Sequence, residues 1–187
     1  MTYQLSLSTI SLFTGAVLAA SSIPGLVKPK AARKFILALP RNYTAGVLLM
    51  ISSLGWSIWL LTSVLDLGEF SHHRNNIITF VVLLAVLTVI FLPDYLSCRA
   101  WGIFLLLATE ILLSACFTVE TTWKWPVVTI AYGWATSGLI FVSTPYTLRN
   151  LLERWNSNEK MTRISSAINF LIGSSLLIFS QTVYHGL

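Results

Sequence analysis

The stretch "FLPDYLSCRAWG", residues 91–102, sets Pro93, Asp94, Cys98 and Arg99 between two long apolar runs. It is either a polar break inside one membrane segment or the tip between two. The flanks decide. Crossing the ~30 Å hydrocarbon core takes about 20 mostly apolar residues, or about 17 for the shortest spans. Residues 77–92 and 100–117 each approach that length on their own. The stretch therefore reads as the connection between two spans.

The same ruler finds six runs: residues 5–26, 43–64, 77–92, 100–117, 127–142 and 164–184. The third and fifth are short, and they run into Pro93 and Pro145. The chain has 187 residues, 55% hydrophobic and only 10% charged, against about 25% charged in an ordinary soluble domain. Its mean hydropathy is +0.75. So few charges cannot cover so much apolar surface in water, and an integral membrane protein follows. The first run has no basic segment before it and no small-residue cleavage site after it, so it reads as a retained helix rather than a signal peptide.

A net charge of +5 in a soluble protein would raise nucleic acid as a partner; here the distribution gives another reason for it. The first linker carries Lys28, Lys30, Arg33, Lys34 and Arg41, the third Arg99, and the fifth Arg149, Arg154, Lys160 and Arg163. The second and fourth hold only Arg74 and Lys124. Short loops rich in Lys and Arg stay cytoplasmic, which places linkers one, three and five inside and both termini outside. Attraction to anionic lipid is secondary. The bilayer and other membrane subunits, or further copies of the chain, are the expected partners; nucleic acid is not. The tryptophans agree. Trp56 and Trp59, Trp123 and Trp125, and Trp101 and Trp155 fall at interface levels, where indole rings collect. Trp134 lies inside a span, where packing is its default.

The three inner tips share a pattern. "GLVKPKAARKFILALPRNYTAGVLLM", "IFLPDYLSCRAWGIFLLL" and "FVSTPYTLRNLLERWNSNEKMTRISSAINFLIG" each run from a helix into Pro29, Pro93 or Pro145, then a basic stretch. An Arg and a small residue open each returning helix: Arg41 and Gly46, Arg99 and Gly102, Arg163 and Ser166. Proline ends a helix and biases the residue before it away from helical geometry. The Arg snorkels to the phosphates while its neighbours enter hydrocarbon. This reads as one hairpin used three times, in units 5–64, 77–117 and 127–184 of a single membrane domain. The first and third tips are longer than a turn needs. In "YTLRNLLERW", Leu148, Leu151, Leu152 and Trp155 recur at i, i+3, i+4, i+7, with Arg149 and Glu153 spaced i, i+4 on the polar side. That spacing describes a helix lying along a membrane surface, and "KAARKFILAL" is a weaker version.

The last unit, "GLIFVSTPYTLRNLLERWNSNEKMTRISSAINFLIGSSLLIF", resembles the YjeT-like small inner-membrane proteins of bacteria, a domain of unknown function. Pro145, Arg154 and Arg163 match their pattern of a tip proline, a short basic linker and an Arg leading into the second helix. The close Arg-x-x-Gly departs here, because Ser166 stands where glycine is expected; Arg99 and Gly102 show it in the middle unit. The resemblance covers about the last quarter of the chain and implies a bacterial inner membrane, with no established activity.

Among single residues, Glu110 in "LLLATEILL" stands out as the carboxylate inside a span. A charge at the bilayer centre costs ~2.5–3.5 kcal/mol on insertion scales. It is either an ion or proton site, or a Glu hydrogen-bonded to a Thr, Ser or Tyr of a neighbouring helix; no intramembrane Lys, Arg or His is at hand to pair with it. Asp94 and Arg99 are expected to close the middle tip as a salt bridge or as headgroup contacts. His72, His73 and Arg74 share an outer loop with Asp66 and Glu69, without the helical spacing of a metal site. Cys98 and Cys116, roughly 27 Å apart along one helix, read as free, inert thiols. No P-loop, GxSxG, HExxH or CxxC occurs, and no span contains a His for haem; neither a cofactor nor a metal is expected. Gly15/Ala19, Ala16/Ala20, Ala131/Ala135 and Gly133/Ser137 are small-xxx-small pairs that allow close helix approach.

The expected fold is an all-α membrane bundle of six transmembrane helices in three hairpins, with cytoplasmic tips and one or two interfacial amphipathic helices. The leading expectation for function is a non-enzymatic scaffold or accessory subunit of a larger membrane complex. A small transporter or channel using Glu110 comes second. An intramembrane enzyme comes last, for want of any nucleophile–base set.

Overall fold

A computed structural model describes residues 6–64, 68–92, 94–117, 119 and 121–184. All regular elements among them are helical. In order they are α1 (Leu7–Val27), α2 (Pro29–Ala38), α3 (Tyr43–Trp59), α4 (Arg74–Phe91), α5 (Leu96–Phe117), α6 (Trp125–Ser143), α7 (Pro145–Trp155) and α8 (Glu159–Thr182). A π-helical turn prolongs α3 over Leu60–Val64, and a 3₁₀ segment, Gly68–His73, leads into α4. The expected outer loop of His72 and His73 is thus part of this helical entry; Asp66 lies outside the described residues. With those extensions, six helices are long and apolar enough to cross a membrane. The two shorter ones, α2 and α7, are the amphipathic segments of the first and third tips.

The three tips leave their helices with one backbone geometry. Lys28 has φ −129° and ψ 70°, Leu92 φ −127° and ψ 51°, and Thr144 φ −128° and ψ 77°. Each donates its N–H to the carbonyl four residues back, Pro24, Thr88 or Ile140, at 2.9, 3.0 and 2.7 Å. A following proline disfavours the helical ψ at each of these residues. At the first and third tips Pro29 and Pro145 then occupy the first position of α2 and α7, where no N–H is needed. Pro93 lies outside the described residues. The middle tip turns at Tyr95, whose φ of 58° is left-handed, a conformation costing a side-chain-bearing residue ~1–2 kcal/mol. Its carbonyl caps α5 by accepting from the Cys98 and Arg99 N–H groups at 2.9 and 3.2 Å.

The spans do not pack chiefly with their neighbours across the tips. The most extensive interfaces join α1 to α8, α5 to α6, and α3 to α5. Each is built on backbone notches. A Cβ on Gly15 would meet the Gly173 carbonyl oxygen at 2.8 Å, and one on Gly173 would meet the Ala19 nitrogen at 2.6 Å. Lower on the same pair, Gly25 sits against the Ser166 hydroxyl. Gly102 and Gly138 oppose each other on α5 and α6, each with the other's carbonyl 2.8 Å from where a Cβ would stand. Gly46 of α3 lies against the Ser97 nitrogen in the same way, at 2.7 Å. Between helices that cross hydrocarbon there is no hydrophobic drive, and close approach of this kind supplies the van der Waals contact instead.

Of the small-residue pairs, Gly15/Ala19 lies in the α1–α8 crossing, and Ala131 is buried with its carbonyl accepting from the Thr109 hydroxyl at 3.3 Å. Ala16, Ala20 and Gly133 are exposed. Helix α5 is the hub and buries the largest share of its span; α4 buries none of its residues and touches α3 only lightly. At the end away from the tips, the Tyr184 hydroxyl donates to the Trp123 carbonyl at 2.6 Å, and Ser180 donates to the Ser8 carbonyl at 2.8 Å. These bonds tie the last helix to the α6 entry and to α1.

Candidate functional site

Glu110 sits in the middle of α5. Thr109 points to α6, and Phe104 points to α3, where its ring meets Trp56 at 5.4 Å between centroids. At about 100° per residue, Glu110 lies about 100° from the first direction and about 120° from the second. It therefore faces neither interface. The residue is half-buried, and its Oε2 is sealed from solvent without a hydrogen-bond partner among the described residues. Among the described residues no Thr, Ser or Tyr hydroxyl bonds this Oε2; on its own helix Thr109 donates to the carbonyls of Leu105 and Ala131, and Ser114 to that of Ile111.

The second concentration of polar chemistry is where the tips meet. From α7, the Arg149 Nε donates to Glu153 Oε1 at 2.8 Å and one terminal nitrogen donates to the Tyr95 hydroxyl at 3.1 Å. The hydrogen bond from Arg149 holds the Glu153 carboxyl below its ordinary value, and the bonds to Glu153 and then Tyr95 raise the guanidinium. Arg41 reaches the same Glu153 at 3.9 Å. The Arg33 Nε donates to the Asn156 carbonyl at 2.7 Å, and Lys30 approaches Glu159 at 3.7 Å. Two clefts open on this face. One of ≈ 630 Å³ runs along α2 and reaches Asn42; another of ≈ 400 Å³ lies between Pro40–Tyr43 and Asp94–Ser97. Neither includes Glu110.

The residues singled out in the sequence divide accordingly. Arg41 joins the tip cluster, and Pro29 and Pro145 are buried at the starts of α2 and α7. Arg154 and Arg163 are exposed on α7 and α8. Asp94 and Arg99 are not joined by an ion pair: Asp94 is exposed, lining the smaller cleft, while the Arg99 Nε is buried without a hydrogen-bond partner. Of the two expected closures of this tip, the salt bridge is absent among the described residues, and Tyr95, between Asp94 and Arg99, accepts from Arg149 instead. Cys98 and Cys116 are free and buried. Among the described residues no three His, Cys, Asp or Glu side chains gather as metal ligands.

Tyr95, Asn156, Glu159 and the Arg33 contact were missed in the sequence. Only Arg149 and Glu153 carried a readable signal, their i, i+4 spacing. The others depend on which tips come together. The chain matches no protein-family model, no curated protein and no solved structure.

Proposed function

We propose that this chain is a non-enzymatic, multi-pass protein of a bacterial inner membrane that serves as a scaffold or accessory subunit of a larger membrane assembly. On this reading the three hairpins are variations of one unit, with their tips in the cytoplasm and both termini in the periplasm. Ten of the 12 Lys and Arg residues lie in the three tip linkers, and short basic loops remain inside. The shared backbone at Lys28, Leu92 and Thr144 supports the repeat, as does the likeness of the last unit to the YjeT-like hairpins.

The observation that carries the scaffold reading is α4. It is an 18-residue apolar helix with no buried residue, beside five spans that each bury residues of their own. Small membrane proteins associate through such uncovered helices by close packing and interhelical hydrogen bonds. Purification from the native host in mild detergent is expected to bring partner subunits along, and Phe80→Ala with Leu84→Ala on α4 is expected to release them. A chain that purifies alone, as monomer or homo-oligomer, refutes this reading.

A second reading, a small transporter or channel, is favoured by the unpartnered Oε2 of Glu110; intramembrane carboxylates commonly mark ion or proton paths. It requires a water-accessible path beside Glu110 and flux abolished by Glu110→Gln. Flux at the wild-type level in that variant ends it.

A further inference from the structure

We infer that the cleft along α2 is a binding site for a ligand carrying two phosphate groups, which in its membrane setting is the headgroup of a diphosphate lipid. The inference is independent of the scaffold reading.

Lys30, Arg33, Lys34 and Leu37 stand at i, i+3, i+4 and i+7, so they share one face of α2, and Ala38 and Arg41 continue the lining of the ≈ 630 Å³ cleft. Four cations thus converge on one concavity. Two carboxylates answer them at the rim. Glu159 is 3.7 Å from Lys30 and Glu153 is 3.9 Å from Arg41, and both pairs are exposed. Glu153 is held more tightly elsewhere, by Arg149 at 2.8 Å. Exposed pairs of this length contribute little. At least two positive charges are left uncompensated.

The donors are also arranged for a ligand. Arg33 uses its Nε on the Asn156 carbonyl at 2.7 Å, which fixes the guanidinium in orientation at the wall of the cleft. Among the described residues its two terminal nitrogens and the Lys34 ammonium have no hydrogen bond or ion pair. A planar, oriented guanidinium beside flexible ammonium groups suits phosphate oxygens.

The setting selects the class of ligand. Another side of α2 turns Ala32 into the bundle, and Phe35 is 68% exposed on the flank. An interfacial helix with its apolar flank in the acyl boundary holds its cations at headgroup depth. Leu37 and Ala38 then give the glycerol end of a lipid an apolar wall. Clusters of four or more Lys and Arg on an amphipathic helix attract multiply charged anionic lipid headgroups. Two uncompensated cations match two phosphodiester charges.

The test titrates the full chain in mild detergent with three probes, cardiolipin, phosphatidylglycerol and inorganic pyrophosphate, read by native mass spectrometry. Two charge-matched variants are compared, Lys30→Gln/Lys34→Gln in the cleft and Arg154→Gln/Lys160→Gln on the exposed end of α7 and start of α8. Cardiolipin is expected to saturate the site at lower concentration than phosphatidylglycerol. The cleft pair is expected to weaken it by about fivefold per cation, about 25-fold together, with the control pair leaving it essentially unchanged. Pyrophosphate binding that is lost in the cleft pair, with the two lipids held alike, keeps the two-phosphate site and assigns it a soluble ligand. Equal losses in the two variants for every probe overturn the site. Without pyrophosphate binding, cardiolipin held no better than phosphatidylglycerol overturns its preference for two phosphates.

Discussion

Replacing Gly102 with alanine puts a methyl carbon 2.8 Å from the Gly138 carbonyl oxygen, 2.9 Å from Val142 Cγ2 and 3.1 Å from Phe141 Cβ. Carbon–oxygen contacts of this kind sit comfortably at about 3.3–3.6 Å, so α5 and α6 must separate by roughly half an ångström. The carbonyl and the Phe141 Cβ belong to a rigid helix and cannot rotate aside. Overpacking of this sort costs ~1–3 kcal/mol. Alanine also recovers up to ~1 kcal/mol of helix propensity, and that gain has to be removed from the comparison. Gly133→Ala does so: it lies on the same α6, and a Cβ there meets nothing within 4 Å. Gly102→Ala is therefore expected to be ~1–3 kcal/mol less stable than Gly133→Ala.

The chain carries its own reporters. Cys98 is 0% exposed in a cluster with Phe141 and Leu148, and Cys116 is 3% exposed in a cluster that includes Val127 and Ala131 of α6. Parting α5 from α6 is expected to raise the access of both thiols. Maleimide labelling in mixed micelles is expected to run about 5- to 140-fold faster in Gly102→Ala than in Gly133→Ala. The double variant Gly102→Ala/Gly138→Ala is expected to cost less than the sum of its parts, because one separation relieves both clashes. Equal labelling of the Gly102 and Gly133 variants would refute the notch as the source of this interface.

Glu110→Leu is expected to raise the melting temperature in detergent, since it removes a buried oxygen without a partner, a defect of ~1–3 kcal/mol; a lowered melting temperature would reveal a partner for that carboxylate. Tyr184→Phe removes the hydroxyl bonded to the Trp123 carbonyl at 2.6 Å and should cost about 1 kcal/mol, with faster proteolysis of the C-terminal segment as the readout. Glu153 is held below its ordinary value of 4.5 by Arg149. A depressed carboxylate stabilises above that value and loses its effect as pH falls through the lower, folded one. The difference in melting between wild type and Glu153→Gln should therefore be full at neutral pH and vanish in acid, and a difference that persists in acid contradicts the contact.

Within the tips, some features were legible because they are local. Pro29 and Pro145 declared two helix starts, and the spacing of Leu148, Leu151, Leu152 and Trp155 declared α7. At the middle tip Asp94 and Arg99 are close in sequence and opposite in charge, yet no ion pair joins them among the described residues. Tyr95 between them is left-handed, a feature that no residue pattern announces. Glu110 was conspicuous by type alone, and its lack of a partner depends on which face of α5 the other helices cover. The basic face of α2 was visible as charge, but the cleft it lines runs on to Arg41 and Asn42 beyond the helix, and the anchoring of Arg33 on Asn156 joins residues 123 positions apart.

Six apolar helices and the clustering of charge at every second connection follow from length, apolarity and Lys or Arg placement, quantities that each segment carries alone; their starts do not, the third opening at Gly68 and the last at Glu159, ahead of the apolar runs. Which spans touch is another matter. Gly15/Ala19 and Ala16/Ala20 are equivalent as patterns on α1, yet only the first is a contact, because Gly173, far along the chain, offers the matching notch. Helix association in a bilayer rests on complementary shape between two surfaces, and complementarity belongs to a pair of helices and to neither one separately. That is why α1 closes on α8, α5 gathers α3 and α6, and α4, with no glycine to offer, is left at the edge.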